Sequence, residues 1–202
     1  MSVLLSTTLA GAAQSQTSVR AQPPDVQAEQ SARPDKDVRA AKALAPTAQQ
    51  RSLVSGATVR WNALGTPATV TKAGAALATG LPADAEQAAR AYLAANRTLF
   101  GLTADAVQSL EKVAVNPIGD GAAVLLRQRF GDLPAGHDGL VAVGVTDGTV
   151  FSVSSSLARD TAAPEAATLD QGAAVESAAR DAGIAVSAAE TRKTKLVAVP
   201  TA

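Results

Sequence analysis

The stretch Asp84-Ala85-Glu86-Gln87-Ala88-Ala89-Arg90-Ala91-Tyr92-Leu93, followed by Leu99-Phe100-Gly101-Leu102, decides the fold of this chain. Asp84 stands where a helix N-cap belongs, with Gln87 three residues on as in a capping box. Ala85, Ala88, Ala89, Tyr92 and Leu93 recur at helical spacing, which predicts an amphipathic helix anchored by Tyr92 and Leu93, with Gly101 as the left-handed residue that stops it. Beyond Leu102 the hydrophobic period changes to that of strands. Residues 110–115, 124–130, 140–145 and 150–154 are short β-rich runs, separated by Asn116-Pro117-Ile118-Gly119-Asp120-Gly121, by residues 131–139 and by Thr146-Asp147-Gly148. Asp147-Gly148 is a favoured hairpin turn because both residues tolerate positive φ. On the other side of the helix, Val59 and Trp61 alternate with Thr58, Arg60 and Asn62, and Gly65-Thr66-Pro67 punctuates the chain before a second extended piece at residues 68–72. The sum is an α+β fold, a helix packed on an antiparallel β-meander.

The order of these segments resembles the fungalysin/thermolysin propeptide (FTP) domain, a pro-region of secreted zinc metallopeptidases, in its actinobacterial fungalysin-type form. The residues that carry the resemblance are Trp61-Asn62-Ala63-Leu64-Gly65-Thr66-Pro67, Ala88 to Arg97, Leu99-Phe100-Gly101-Leu102, Arg127 to Pro134, and Val143 to Val153. In such domains a strand ending in a glutamine and an aromatic leads into a Gly-x-Pro turn. Gln128, Phe130, Gly131 and Pro134 occupy those places here, with an extra Asp132 in the turn, and the resemblance assigns none of them a binding role. It implies a fold of the FTP/cystatin-like kind over residues 55–157, trailed at 165–202 by the start of a PepSY-type segment, a partial second α+β unit. In that segment Thr168-Leu169-Asp170-Gln171 is a second capping-box pattern, Ala174, Val175, Ala178, Ala179 and Ala182 follow at helical spacing, and Gly183 marks the stop. Residues 195–199 read as a strand. One helix and one strand cannot make an independent domain, so this piece either adds to the first sheet or belongs to a longer protein.

Composition sets the means available to that fold. The hydrophobic fraction is 47%, enough for a core, but aromatics are only 2%, so Val and Leu must fill it with Trp61, Tyr92, Phe100, Phe130 and Phe151 as large anchors. Basic and acidic residues balance at 18 each, with no basic patch of the kind a nucleic-acid binder carries. No cysteine is present, which excludes a disulfide framework and thiolate metal ligation. At the N-terminus, residues 1–13 end in Ala10-Gly11-Ala12, a small-x-small pattern suited to signal peptidase. No positive residue precedes the apolar run, so the segment reads as a truncated signal peptide of a secreted protein without a stable membrane anchor. Residues 14–54, rich in Gln, Ser, Pro, Asp and Arg, are expected to be a disordered linker or pro-tail, with a short helix around 37–44 ended by Pro46.

The chemistry is defined mostly by what cannot be assembled. A zinc peptidase of this kind needs two histidines one helical turn apart with a glutamate between them, and His137 is the chain's single histidine. No Gly-x-Ser-x-Gly elbow presents a serine nucleophile, and no glycine cluster continues as a dinucleotide or phosphate-binding loop. His137 lies in the turn-rich Pro134-Ala135-Gly136-His137-Asp138-Gly139 and reads as an exposed loop residue. Asp120, Asp138 and Asp147 each precede a glycine, which is turn chemistry and lacks the alternating carboxylates of a calcium loop. Asn96-Arg97-Thr98 matches a glycosylation sequon, but its place at a helix end favours a structural role.

No catalytic, cofactor-binding or metal-ligating residue is therefore assigned, and the chain is not expected to be an enzyme. The resemblance implies a non-catalytic pro-region that inhibits a secreted metallopeptidase and assists its folding. The partner would be the cognate catalytic domain, in cis or in trans, and that domain, absent from this chain, would hold the zinc. The alternative is a free-standing secreted binding module of the same fold.

Overall fold

A computed structural model of the protein describes residues 43–159, 162–185 and 195–199. Helix α1 (Ala48–Leu53) precedes the hairpin of β1 (Thr58–Trp61) and β2 (Pro67–Thr71), then come α2 (Ala85–Ala95) and α3 (Ala104–Gln108). The strands β3 (Glu111–Ile118), β4 (Gly121–Arg127), β5 (Arg129–Phe130), β6 (Leu133–Pro134), β7 (Leu140–Thr146) and β8 (Thr149–Ser155) follow, and α4 (Gln171–Ala182) comes last. A six-stranded antiparallel sheet runs in the order β1-β2-β8-β7-β4-β3, and β5 and β6 form a separate small hairpin. The fold is mixed α+β.

The register of the sheet explains its choice of residues. One cross-strand row reads Val115, Val124, Val143, Val153, Val70 and Val59, one valine from each of the six strands. β-branched side chains suit a pleated surface, and lining them up across a sheet makes neighbouring pairs pack directly. This row faces α2, which lies over β4, β7 and β8. Asp84 caps α2 by accepting from the Gln87 amide at 2.8 Å, and Ala88, Ala89, Tyr92 and Leu93 are buried against the valines. The alanines let the helix approach the sheet closely. Tyr92 and Phe100 meet edge to face with ring centroids 6.4 Å apart.

The helix ends earlier than expected. Asn96, not Gly101, caps it, with the Asn96 backbone and side-chain N–H groups both donating to the Tyr92 carbonyl. Gly101, at φ +66°, closes the following turn instead, where the Leu102 amide donates to Arg97 and that of Gly101 to Thr98. This pair of bonds is the left-handed closing motif of a helix end, displaced by one turn. Directly after it comes α3, capped by Thr103, a short helix that strand-like periodicity after Leu102 does not predict.

Two further differences have a single kind of cause, a step in register. Phe151 is not a core anchor: it is 48% exposed. The pairing of β7 with β8 shifts between Gly144 and Val145, leaving Phe151 as an extra residue between Val150 and Ser152. Such a bulge lets Val150 and Val153, three apart, both face the core, which strict alternation forbids. The run expected as one strand over 124–130 is broken at Gln128. Its backbone leaves the main sheet and its side chain is fully buried, donating to the Ala158 carbonyl at 2.8 Å and accepting from the Ala158 amide at 3.0 Å.

Both flanks of the sheet differ from expectation as well. The fold includes residues before 55: Thr47 and Gln50 form a reciprocal capping box on α1, and Gln50 is buried. Gln50 donates to the carbonyls of Leu99 and Gly65, while the Arg159 guanidinium bonds Gly65, Ala45 and the Gln50 side chain. The helix expected around 37–44 falls largely outside the described residues. Leu44 is non-helical, its amide donating to Ala63. At the other flank α4 is capped by Asp170 rather than Thr168 and stops at Gly183 in the left-handed conformation. Lys195–Val199 does not join the main sheet. It makes one parallel bridge, Ala198 to Ala135, beside the small hairpin.

Candidate binding surface

The sheet has two faces and only one carries the valine row and the helix. The other presents two rows that cross all six strands. One reads Asn116, Ala123, Gly144, Ser152, Thr71 and Thr58; the other reads Ala114, Leu125, Ala142, Ser154, Thr69 and Arg60. Eleven of these twelve are uncharged and most are small. Ser152, Ser154, Thr71 and Thr58 are exposed, whereas Ala123, Leu125, Ala142 and Gly144 in the centre are half-buried. Phe151, expelled from the core by the bulge, stands beside these rows as a large exposed apolar side chain. The valines need a helix to cover them, but a face of Ser, Thr, Ala and Gly can remain in water without cost.

Charge is confined to the margins. Beyond the rows, Glu111 on β3 receives Arg127 of β4 at 2.7 Å and Arg129 at 3.4 Å. The hydrogen bond from Arg127 above all, with Arg129 adding its charge, holds the Glu111 carboxyl below the usual carboxylate range. On the helix side Glu86 of α2 bridges Lys112 of β3 at 2.8 Å and Arg90 of its own helix at 2.9 Å, and the bond to Lys112 lowers its pKa most. The Glu86–Lys112 bridge ties the sheet edge to the helix.

The residues weighed for chemistry are dispersed. His137 is exposed on the loop after β6, 3.7 Å from Asp138 Oδ2. Asp138 and Asp147 adopt positive φ, 56° and 45°, in their turns, and Asp147-Gly148 joins β7 to β8 with Thr146 opposite Thr149. Asn96 is engaged in capping α2. Among the described residues no three of His, Cys, Asp or Glu gather closely enough to hold a metal ion. Gln128 and Phe130 hold the β5–β6 hairpin to the segment after β8, the Phe130 ring packing with Leu64, Ala135, Ala158 and Ala198, while Pro134 pairs with Arg129 and accepts from the Ala198 amide. Gln50 and Arg159 were not singled out in the sequence. The Thr47-x-x-Gln50 pattern was the available signal for the first, and nothing local marks the second.

No protein-family description, curated protein or solved structure matches the chain. Among the described residues no helix is long and apolar enough to cross a membrane. What the geometry offers, among the described residues, is a broad face of mostly small side chains on a sheet whose opposite face is covered by α2 over β4, β7 and β8.

Proposed function

We infer that this protein acts by binding a folded protein partner through the uncovered face of its six-stranded sheet, as a non-catalytic pro-region of a secreted zinc metallopeptidase. The observation that carries the binding part is the pair of small-residue rows across that face. Ser, Thr, Ala and Gly have little rotamer freedom to lose, so covering them costs less entropy than covering long side chains. Their low profile lets a partner's side chains approach the sheet backbone, and Phe151 supplies an exposed aromatic side chain of a kind enriched in interface cores. The metallopeptidase as partner rests on the resemblance of the segment order to FTP domains. A domain complementary to the folded enzyme would stabilise that state by mass action and, seated over its cleft, would inhibit it. The zinc and the His-Glu-x-x-His motif whose two histidines ligate it would then belong to the enzyme, and the exposed His137 would have no part in the chemistry.

The test is inhibition in trans. Purified chain added to a mature fungalysin-type metallopeptidase should slow hydrolysis of a peptide substrate stoichiometrically. Ser154→Arg, which puts a long charged side chain in the middle of the face, should weaken inhibition at least tenfold while leaving the chain folded. Undiminished inhibition by that variant would remove the face from the interaction, and no inhibition at large excess of either protein would remove the pro-region reading.

A further inference from the structure

Past the β5–β6 hairpin the chain runs extended through Pro134-Ala135-Gly136, and this short edge is already occupied by a strand. Lys195–Val199 lies along it in parallel: the Gly136 amide donates to the Ala198 carbonyl at 2.8 Å, and the Ala198 amide donates to the Pro134 carbonyl at 3.0 Å. The two bonds flank one residue. Ala198 is buried in the small apolar cluster of Leu64, Phe130, Ala135 and Ala158. Val197 sits against bare backbone, since a Cβ at Gly136 would overlap its Cγ2. The remaining side chains of the strand are held loosely. Leu196 is 63% and Val199 49% exposed, and a cavity of about 650 Å³ bordered by Phe130, Leu133, Pro164 and Val199 opens beside them.

A slot that seats an alanine in an apolar cluster beside an open cavity, and holds its occupant by two backbone bonds and one buried methyl group, suits an exchangeable occupant. We propose that Pro134–Gly136 is a strand-capture site for an extended segment of another protein with an aliphatic-Ala-aliphatic sequence, and that Lys195–Val199 fills it in cis. Main-chain bonds to an exposed edge give such recognition its affinity, and pockets for individual side chains give it selectivity. The occupant's chemistry is read from the strand seated there: alanine at the buried position, a β-branched residue over Gly136, parallel direction. This site lies on the small hairpin and not in the six-stranded sheet, and its test involves no peptidase, so it stands or falls separately from the metallopeptidase reading.

The test uses the full chain and the peptide Lys-Leu-Val-Ala-Val, acetylated and amidated, with a fluorophore at its N-terminus for anisotropy. Ala198→Asp places a carboxylate in the apolar cluster and expels the cis strand, so that variant should bind the peptide at least tenfold more tightly than the native chain. Adding Gly136→Val should abolish the gain, because the new side chain occupies the space of the peptide's first valine. A peptide with aspartate in place of alanine should not bind. In the unaltered chain, excess peptide should shift the Leu196, Val197 and Ala198 amide resonances as the cis strand is displaced, a measurement that needs no substitution. Equal peptide affinity in native and Ala198→Asp chains, unchanged Leu196–Ala198 resonances, or binding that survives Gly136→Val would each overturn the proposal. A native dimer that Ala198→Asp dissolves would give the slot to a second copy of this chain and overturn it as a site for another protein.

Discussion

Leu93 and Tyr92 show how much of the fold rests on adjacent residues of one helix. Both are buried between α2 and the valine row, and few large side chains are available to replace them. Truncating a buried leucine forfeits its transfer energy and leaves a cavity, so Leu93→Ala should cost about 2–5 kcal/mol and lower the urea midpoint accordingly. His137→Ala, on an exposed loop, should stay within about 0.5 kcal/mol of the native chain. The reverse order of the two would contradict the placement of both. Tyr92 offers an internal gauge, because it is the chain's one tyrosine. Burial pushes its phenol from 10.0 up to about 12, so absorbance at the phenolate band should titrate near the higher value in the folded protein and return to the ordinary one in urea. Folding stability should accordingly be complete below pH 10 and fall as pH rises from there toward about 12, since only the unfolded chain ionises readily in that interval.

At the scale of elements, the two flanks of the sheet are handled differently. β1 is close to the ordered N-terminal segment through the Leu44 to Ala63 bond, whereas β3 is an edge strand with Val113, Val115 and Ile118 exposed. An apolar free edge invites pairing with another chain, and β3 carries two of the usual protections. Its pairing with β4 is irregular between Lys112 and Ala114, and Pro117 removes one N–H donor from the strand. Pro117→Thr should therefore leave the fold intact but raise self-association, seen as an increase in sedimentation coefficient with concentration. Unchanged sedimentation would mean that the irregularity alone protects the edge. The bulge in β8 belongs to the same scale. It turns Phe151 outward and the two valines on either side of it inward, which joins core packing to the composition of the exposed face.

For the molecule as a whole, the ion pairs stitch rather than support. Glu86 links α2 to β3, and Glu111 links β3 to β4 and to Arg129 of the hairpin. Both carboxyls are held below the ordinary value of 4.5 by hydrogen bonds from their cationic partners. A depressed folded pKa contributes stability that is present above 4.5 and lost as pH falls through the folded value. Denaturant midpoints should thus be flat near neutrality and decline below that point, and Glu86→Gln should flatten the acid limb. An acid limb identical in the variant would show that the Lys112 bridge is fully screened, as exposed pairs often are.

The local patterns were legible in the sequence. Asp84 and Leu93 place α2, alternating apolar runs locate the long strands, and Asp147-Gly148 identifies the β7–β8 turn, because caps, periodicity and positive φ act within a few residues of chain. The alignment of six valines, the outward turn of Phe151 and the departure of Gln128 from β4 were not, since each depends on pairing between segments far apart in sequence. The ordered N-terminal flank shows the same division. Thr47 and Gln50 form a cap that the sequence displays, but Gln50 becomes a core residue only when Leu99, Gly65 and Arg159 converge on it. Sequence alone thus placed the long helix α2, helix α4 and the long strands, but neither α1 nor α3. Tertiary structure decided which side chains of the sheet face α2 and which form the rows on the other face, because register is an energy of contact between strands and no single strand contains it.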